Sequence, residues 1–193
     1  CGREGAEITI RNCGILNNGW DGIALYRGAI VTVTDCTIKD GRGAGIGVTW
    51  DASCTAYRNE ISGFWKGIGA FGNSWVIARN NLVHENLGWG IIATGEAYMD
   101  IANNVVYHNG NCGVAPWSSE SRGRIANNII VDNGWREQWV CPCVGVWNYG
   151  DWAKWVSFVQ AAFLFRTEAV AAGPSLFKIP VGYDYRLRYT REN

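Results

Sequence analysis

The sequence repeats itself at a nearly constant interval. A glycine followed by an aliphatic residue recurs six times, with spacings of 23, 22, 23, 23 and 32 residues, at Gly22-Ile23, Gly45-Ile46, Gly67-Ile68, Gly90-Ile91, Gly113-Val114 and Gly145-Val146. A period near 23 residues is too short for a pair of helices and lacks the leucine pattern of a leucine-rich repeat. It fits one coil of a parallel β-helix, in which each coil buries its apolar face only when a neighbouring coil stacks on it.

Two other columns of residues follow the same period. The first is aliphatic and contains Ile15, Ile38, Ile61, Val83, Val106 and Ile130. The second lies two residues earlier and contains Cys13, Cys36, Asn59, Asn81, Asn104 and Asn128. Alternation such as Ile8-Thr9-Ile10 has the period of a β-strand. Each coil is therefore predicted to contain three short strands, and the asparagines are interpreted as turn and ladder residues rather than catalytic groups.

The repeat resembles the right-handed parallel β-helix family, the superfamily of pectate lyases and polygalacturonases. The resemblance covers residues 7–152 and 173–188, and residues 8–23 and 101–110 carry it most clearly. It implies an all-β fold, a single-stranded right-handed parallel β-helix of about six coils with a C-terminal cap. Because the repeats of this family are structural, the resemblance implies a fold and says little about an activity.

The coils are expected to occupy residues 1–152, and residues 153–193 are expected to form the C-terminal capping segment. Residues 153–172 depart from the period and are rich in alanine, which favours a helix over the last coil that ends at Gly173-Pro174. A divergent seventh coil is the alternative. The repeats begin near residue 7 without an apparent N-terminal cap, so this end is expected to be incomplete, shielded by missing residues, or available for end-to-end self-association.

Charge and hydropathy exclude several classes of partner. The chain has 17 basic and 17 acidic residues, which argues against a nucleic-acid partner and against a polybasic membrane surface. No apolar run reaches the length of a transmembrane segment. The chain starts at Cys1, which suits removal of a signal sequence, a mature lipoprotein or a fragment.

Seven cysteines leave at least one thiol unpaired in a monomer. Cys13, Cys36 and Cys54 are expected to be buried thiols, because in-register parallel strands hold Cβ atoms too far apart for a disulfide. Cys112 is expected to pair with Cys143 or Cys141, which implies an oxidising compartment and an extracellular or periplasmic location. No metal site is predicted, because a Cys-Pro-Cys pair without convergent partners is a weak signal.

Aromatic residues recur at positions that should point away from the core. Three residues past the aliphatic member of each glycine pair stand Tyr26, Thr49, Phe71, Thr94, Trp117 and Tyr149, and the preceding turns contain Trp20, Trp65 and Trp89. An outward aromatic row indicates a binding surface. Flat rings suit the apolar faces of sugars, so a polysaccharide or oligosaccharide partner is favoured over burial by loops or a partner subunit. Stacked coils should make this surface a long groove. An insertion around residues 135–142 is expected to form a lip beside the groove.

Catalysis would require carboxylates or basic groups that converge on the groove. The candidate catalytic residues are Asp51, Glu96, Asp151, Arg27 and Lys66. They match neither the Asp-rich motif of polygalacturonases nor the calcium-plus-arginine arrangement of pectate lyases, and no cofactor is predicted except Ca²⁺ in the case of a lyase. The favoured function is carbohydrate binding, with polysaccharide cleavage by a lyase or hydrolase reaction left open. The alternatives are a non-catalytic adhesion or assembly module, a periplasmic metallocentre-maturation protein, and a fragment of a larger lyase or glycoside hydrolase.

Overall fold

A computed structural model describes residues 1–136 and the strand Trp155–Val156, which contain eighteen strands in three parallel sheets. Sheet 1 consists of β1 (Glu7–Arg11), β4 (Ile30–Thr34), β7 (Ser53–Tyr57), β10 (Trp75–Arg79), β13 (Tyr98–Ala102), β16 (Arg122–Ala126) and β18 (Trp155–Val156). Sheet 2 consists of β2 (Gly14–Asn18), β5 (Thr37–Gly41), β8 (Glu60–Ser62), β11 (Leu82–His84), β14 (Val105–Tyr107) and β17 (Ile129–Val131). Sheet 3 consists of β3 (Ile23–Leu25), β6 (Ala44–Thr49), β9 (Lys66–Phe71), β12 (Trp89–Ala93) and β15 (Val114–Pro116).

The chain winds through sheets 1, 2 and 3 in turn, and each strand pairs in parallel with its equivalent on the next coil. This arrangement is a parallel β-solenoid of about five turns, which confirms the predicted all-β coil. Most of the predicted sixth coil and nearly all of the predicted cap at residues 153–193 lie outside the described residues. Within the described part of the chain, no helix is long and apolar enough to cross a membrane.

Residues with left-handed backbone conformation turn the chain at the corners of each coil. At corner 1, between sheets 1 and 2, φ lies between 51° and 58° in Asn12, Asp35, Arg58, Asn80, Asn103 and Asn127. At corner 2, between sheets 2 and 3, the equivalent residues are Asn17, Asp40, Gly63, Glu85, His108 and Asp132. Asn, Asp and Gly dominate because they adopt this conformation at the lowest cost. Corner 3, between sheets 3 and 1, contains further left-handed residues such as Arg27, Trp50 and Gly72.

The core is the interior of the coil, and the predicted aliphatic columns line it. In sheet 2, the strand register aligns Ile15, Ile38, Ile61, Val83, Val106 and Ile130. In sheet 3 it aligns Ile23, Ile46, Ile68, Ile91 and Val114, all of them buried. Each inward side chain therefore packs against equivalents above and below it. This packing fixes the register, since a slip of one residue would turn the whole column outward.

The predicted asparagine ladder is confirmed at corner 1. Asn59, Asn81, Asn104 and Asn128 are buried, and the side-chain Nδ2 of each of the first three donates to Oδ1 of the next. Asn81 Oδ1 accepts hydrogen bonds of 3.0 Å from both the backbone N–H and the side-chain Nδ2 of Asn59. Its own Nδ2 donates to the carbonyl of Ala56 and to Asn104 Oδ1. The ladder thus satisfies backbone groups at a corner where the sheet hydrogen bonds are interrupted.

A second ladder, which the sequence analysis did not identify, runs along corner 2. It contains Asn86, Asn109 and Asn133, joined by side-chain hydrogen bonds of 2.9 and 2.8 Å. The next residue in this column is the buried Phe64, whose backbone N–H donates to Asn86 Oδ1. Its ring occupies space above Gly41, where an added Cβ atom would overlap the ring. The 23- and 24-residue spacings of these asparagines were the signal in the sequence.

The cysteine predictions are confirmed in part. Cys36 and Cys54 are buried free thiols, and burial raises the pKa of Cys54 to about 12. Cys13 is also free but exposed, so its predicted burial is wrong. It lies on the first described coil, where a neighbouring coil covers it from one side only. Cys112 is disulfide-bonded, as expected, but the predicted partners Cys143 and Cys141 lie outside the described residues.

Candidate functional site

The outer surface of sheet 3 has a floor of small residues. At its centre, Gly47 and Gly69 are directly paired between β6 and β9. The Phe71 ring folds back over Gly69, where any added Cβ atom would overlap it. The Asp21 carboxylate lies against Gly47 in a similar way, so Phe71 and Asp21 occupy the shallow recess that the two glycines leave between adjacent coils.

Two tryptophans close one end of this recess. Trp89 is the first residue of β12, and Trp117 follows the last residue of β15. The two residues therefore lie at opposite ends of the strands of sheet 3. Their ring centroids are nevertheless only 5.4 Å apart in an edge-to-face arrangement. The rings therefore lean toward each other across the sheet. This position accounts for the burial of the outward-facing Ile92 and Ala115 on the strands beneath them.

Trp65 continues the aromatic row at corner 2. Its ring lies edge-to-face with Trp89 at a centroid distance of 5.9 Å, and edge-to-face pairs of this kind are favourable. The indole N–H of Trp89 is buried and has no hydrogen-bond acceptor among the described residues. The three rings of Trp65, Trp89 and Trp117 therefore form one continuous cluster, which we call the tryptophan row.

A carboxyl group and an amine lie near each other on the other side of the recess, without a direct ion pair between them. Asp21 Oδ1 accepts a 2.6 Å hydrogen bond from the backbone N–H of Ala44, and its carboxylate attracts the ammonium of Lys66. Burial is the main reason that the pKa of Asp21 is raised and that the pKa of Lys66 is lowered. The Lys66 ammonium also lies 5.6 Å from the centre of the Phe71 ring. The pair adds no net charge to the recess.

The other predicted aromatic residues extend along the same side of the molecule. Trp20 is 67% exposed in the loop at corner 2, with its ring against Gly43. Tyr26 follows β3 and lies 6.0 Å from Trp50, an exposed tryptophan that the sequence analysis did not nominate. Trp50 has no aromatic equivalent at its position on the next coils, so the repeat alignment did not reveal it. Tyr149 lies outside the described residues.

The candidate catalytic residues do not form one cluster. Arg27 pairs with Glu4 at 3.5 Å, and Asp51 exchanges hydrogen bonds with Asn73 on the next coil. Both lie at corner 3, and Glu96 is exposed in the same turn two coils further along. Lys66 starts β9 at the opposite edge of sheet 3. Among the described residues, no hydrogen bond or ion pair joins two of these candidates, and Asp151 lies outside that range.

The predicted lip begins beside the tryptophan row. The Trp135 ring stacks on His108 at 5.7 Å, and its Nε1 donates to the His108 carbonyl. Arg136 reaches back over the coils, donating to the Leu87 carbonyl and placing its guanidinium 5.2 Å from the centre of the Trp65 ring. The rest of the insertion lies outside the described residues. Over residues 1–136, no group of three His, Cys, Asp or Glu side chains is arranged to hold a metal ion.

Comparison with known proteins identifies the repeat scaffold that carries this site. The sequence matches the family model described as right handed beta helix region over residues 2–157. No curated protein and no solved structure matches the chain. The family match covers most of the sequence and agrees with the observed parallel coils, so the chain belongs to the right-handed β-helix family.

Proposed function

We propose that this protein binds a polysaccharide or oligosaccharide along the outer surface of sheet 3, and that it does so in an extracellular or periplasmic setting. The observation that carries the proposal is the aromatic surface that the tryptophan row forms above the small residues of sheet 3, with Phe71 on the adjacent coil. Aromatic faces present flat apolar area at a low cost in conformational entropy. Sugars have apolar C–H faces that match such rings and hydroxyl groups that need polar partners.

The polar groups around the recess fit a neutral sugar. Asp21 and Lys66 offer an acceptor and a donor without net charge, and sugar hydroxyls can both donate and accept hydrogen bonds. The buried indole N–H of Trp89 has no acceptor among the described residues, and a ligand oxygen that reached it would remove the cost of leaving it unpaired. Because the local charges cancel, binding at this surface should depend only weakly on salt.

Polysaccharide cleavage is a second candidate, and one observation favours it. Lys66, one of the predicted catalytic residues, lies near Asp21 and has a pKa lowered by burial, which suits proton transfer. A cleavage reaction at this surface would therefore use Lys66 and Asp21, with no part for Arg27, Asp51 or Glu96. Unsaturated, ultraviolet-absorbing ends would identify a lyase, and new reducing ends alone would identify a hydrolase. Lys66→Met should abolish either product.

Affinity electrophoresis through gels that contain neutral polysaccharides tests the binding proposal, after a glycan array has selected the polymers. Phe71→Ala and Trp117→Ala should each weaken retention by about tenfold, as expected for central aromatic contacts. The side chains of Phe71 and Trp117 pack against the core, so removing either of them also removes packing contacts. Trp20 is exposed, so Trp20→Ala is a third variant that should have little effect on folding. The matched control is Trp75→Ala, which removes an exposed tryptophan from sheet 1.

Two results would contradict the proposal. One is retention that Phe71→Ala and Trp117→Ala leave unchanged while circular dichroism shows folded proteins. The other is the absence of retention by any glycan, which would favour the alternative of a non-catalytic adhesion or assembly module.

A further inference from the structure

The outer face of sheet 1 has a chemistry that differs from that of sheet 3. Its central column, read along the coils, begins with the hydroxyl side chains of Thr9, Thr32 and Thr55. It continues through Ile77 and Asp100 to Arg124. The central column is therefore hydroxylic over the first three coils, and aromatic and cationic side chains occur on the later coils.

A stacked pair of rings marks the change. Trp75 and Tyr98 are register partners on β10 and β13, with centroids 3.8 Å apart and planes inclined by 21°. Ser53 precedes Trp75 in the same column, and its small side chain leaves the second face of the indole uncovered. Trp75 is 46% exposed in consequence. A flat ring from a ligand can extend this stack above Ser53.

Three arginines follow the rings. Arg122 is the register partner of Tyr98 and is exposed, and its guanidinium group forms no hydrogen bond or ion pair with a described residue. Arg79 and Arg124 share a single carboxylate, since Arg79 bonds to Asp100 and Arg124 Nε lies 3.6 Å from the other Asp100 oxygen. Strands β10, β13 and β16 therefore carry more positive than negative charge on this face.

The surrounding acidic residues do not cancel this charge within the face. Glu7 lies on β1 at the opposite end of the sheet, and Glu96 and Glu120 lie in the turns that precede β13 and β16. The three arginines thus lie on the coils that also carry the ring pair, while Arg11 lies with Glu7 on β1. Guanidinium groups bind carboxylates and sulfates through paired, charge-assisted hydrogen bonds.

We propose that the outer face of sheet 1 is a second ligand site, which takes an acidic sugar chain bearing carboxylate or sulfate groups. One sugar ring stacks on the uncovered face of Trp75 above Ser53. Its anionic group, or that of the adjoining sugar, pairs with Arg122. The threonine hydroxyls of the earlier coils donate to and accept from the sugar hydroxyls further along the chain.

The test is retention in gels that contain a polyuronate, a sulfated polysaccharide or a neutral polymer, with the full chain at low and at high salt. Arg122→Gln should weaken retention by the acidic polymers by about tenfold and leave retention by the neutral polymer unchanged. Trp75→Ala should weaken retention by the acidic polymers by a similar factor. Arg58→Gln is the matched control, because it removes the same charge at corner 1, where Arg58 already pairs with Asp35.

Equal losses in Arg122→Gln and Arg58→Gln would overturn the proposal, because they would show a response to net charge alone. Retention unchanged by Trp75→Ala would overturn it as well. A greater loss with the polyuronate than with the sulfated polymer, or the reverse, would identify the anionic group. Failure of this proposal is separable from failure at sheet 3, because Trp20→Ala and Trp117→Ala report on sheet 3 alone.

Discussion

Replacement of one ladder asparagine tests how much of the stability resides in the corners of the coil. Asn81→Ala removes four hydrogen bonds, two accepted from Asn59 and one donated to each of Ala56 and Asn104. The backbone N–H of Asn59 and the Ala56 carbonyl lose these partners inside the protein. A buried polar group left without a partner costs about 1–3 kcal/mol. We therefore expect Asn81→Ala to lower the unfolding free energy by about 3–5 kcal/mol.

Urea denaturation followed by tryptophan fluorescence measures this loss. Because a stack of repeats can open locally, the unfolding curve alone does not locate the effect. Hydrogen exchange does so at individual amides. The amide of Asn59 should exchange faster in Asn81→Ala because its acceptor is gone, whereas the Cys36 amide keeps its bond to Asn59 Oδ1 and should change less.

The adjacent residue provides a matched control. Asn80 is exposed and has a left-handed backbone, with φ at 56°. Asn80→Ala makes the same chemical deletion and should cost only about 1–2 kcal/mol, from the disfavoured conformation. A cost for Asn81→Ala equal to or below that of Asn80→Ala would refute the reasoning, because it would mean that the ladder bonds add nothing beyond those made with water.

Two further predictions concern the packing and the recess. Gly41→Ala should lower the unfolding free energy by about 1–3 kcal/mol, because the added methyl group overlaps the Phe64 ring. The control is Gly14→Ala, where no atom lies within 4 Å of the new group, and it should change the unfolding free energy by less than about 0.5 kcal/mol. Lys66 has a lowered pKa in the native state, so the unfolded chain binds its proton more tightly and the unfolding free energy should rise as the pH approaches 10.5 from below. In urea titrations at several pH values, Lys66→Met should remove this rise. Lys39→Met should leave the rise in place, because the hydrogen bond to Glu60 raises the pKa of Lys39 and moves its contribution to the unfolding free energy above pH 10.5. A slope that both variants leave intact would contradict the assignment to Lys66.

The sequence was sufficient to predict the coil and its inner surface. Repeated apolar positions must meet their equivalents in neighbouring coils, and one register alone buries all of them, so periodicity fixed the columns that contain Ile38 and Ile46. The same reasoning located the ladder that contains Asn81, because an amide in a repeated turn bonds to its own copy. It did not locate the second ladder, where Phe64 and Gly41 interrupt the column of asparagines.

Only the tertiary structure showed which side chains meet on the outer surface. Periodicity places Trp89 and Trp117 outside the coil, but it does not show that their rings meet across sheet 3, because side-chain direction depends on the neighbouring coils. It does not show that Lys66 lies near Asp21 while Asp51 bonds to Asn73 at another corner. A repeated position is constrained only where every coil must satisfy the same contact. Outside the core each side chain has different neighbours, so only the folded arrangement decides which of them act together.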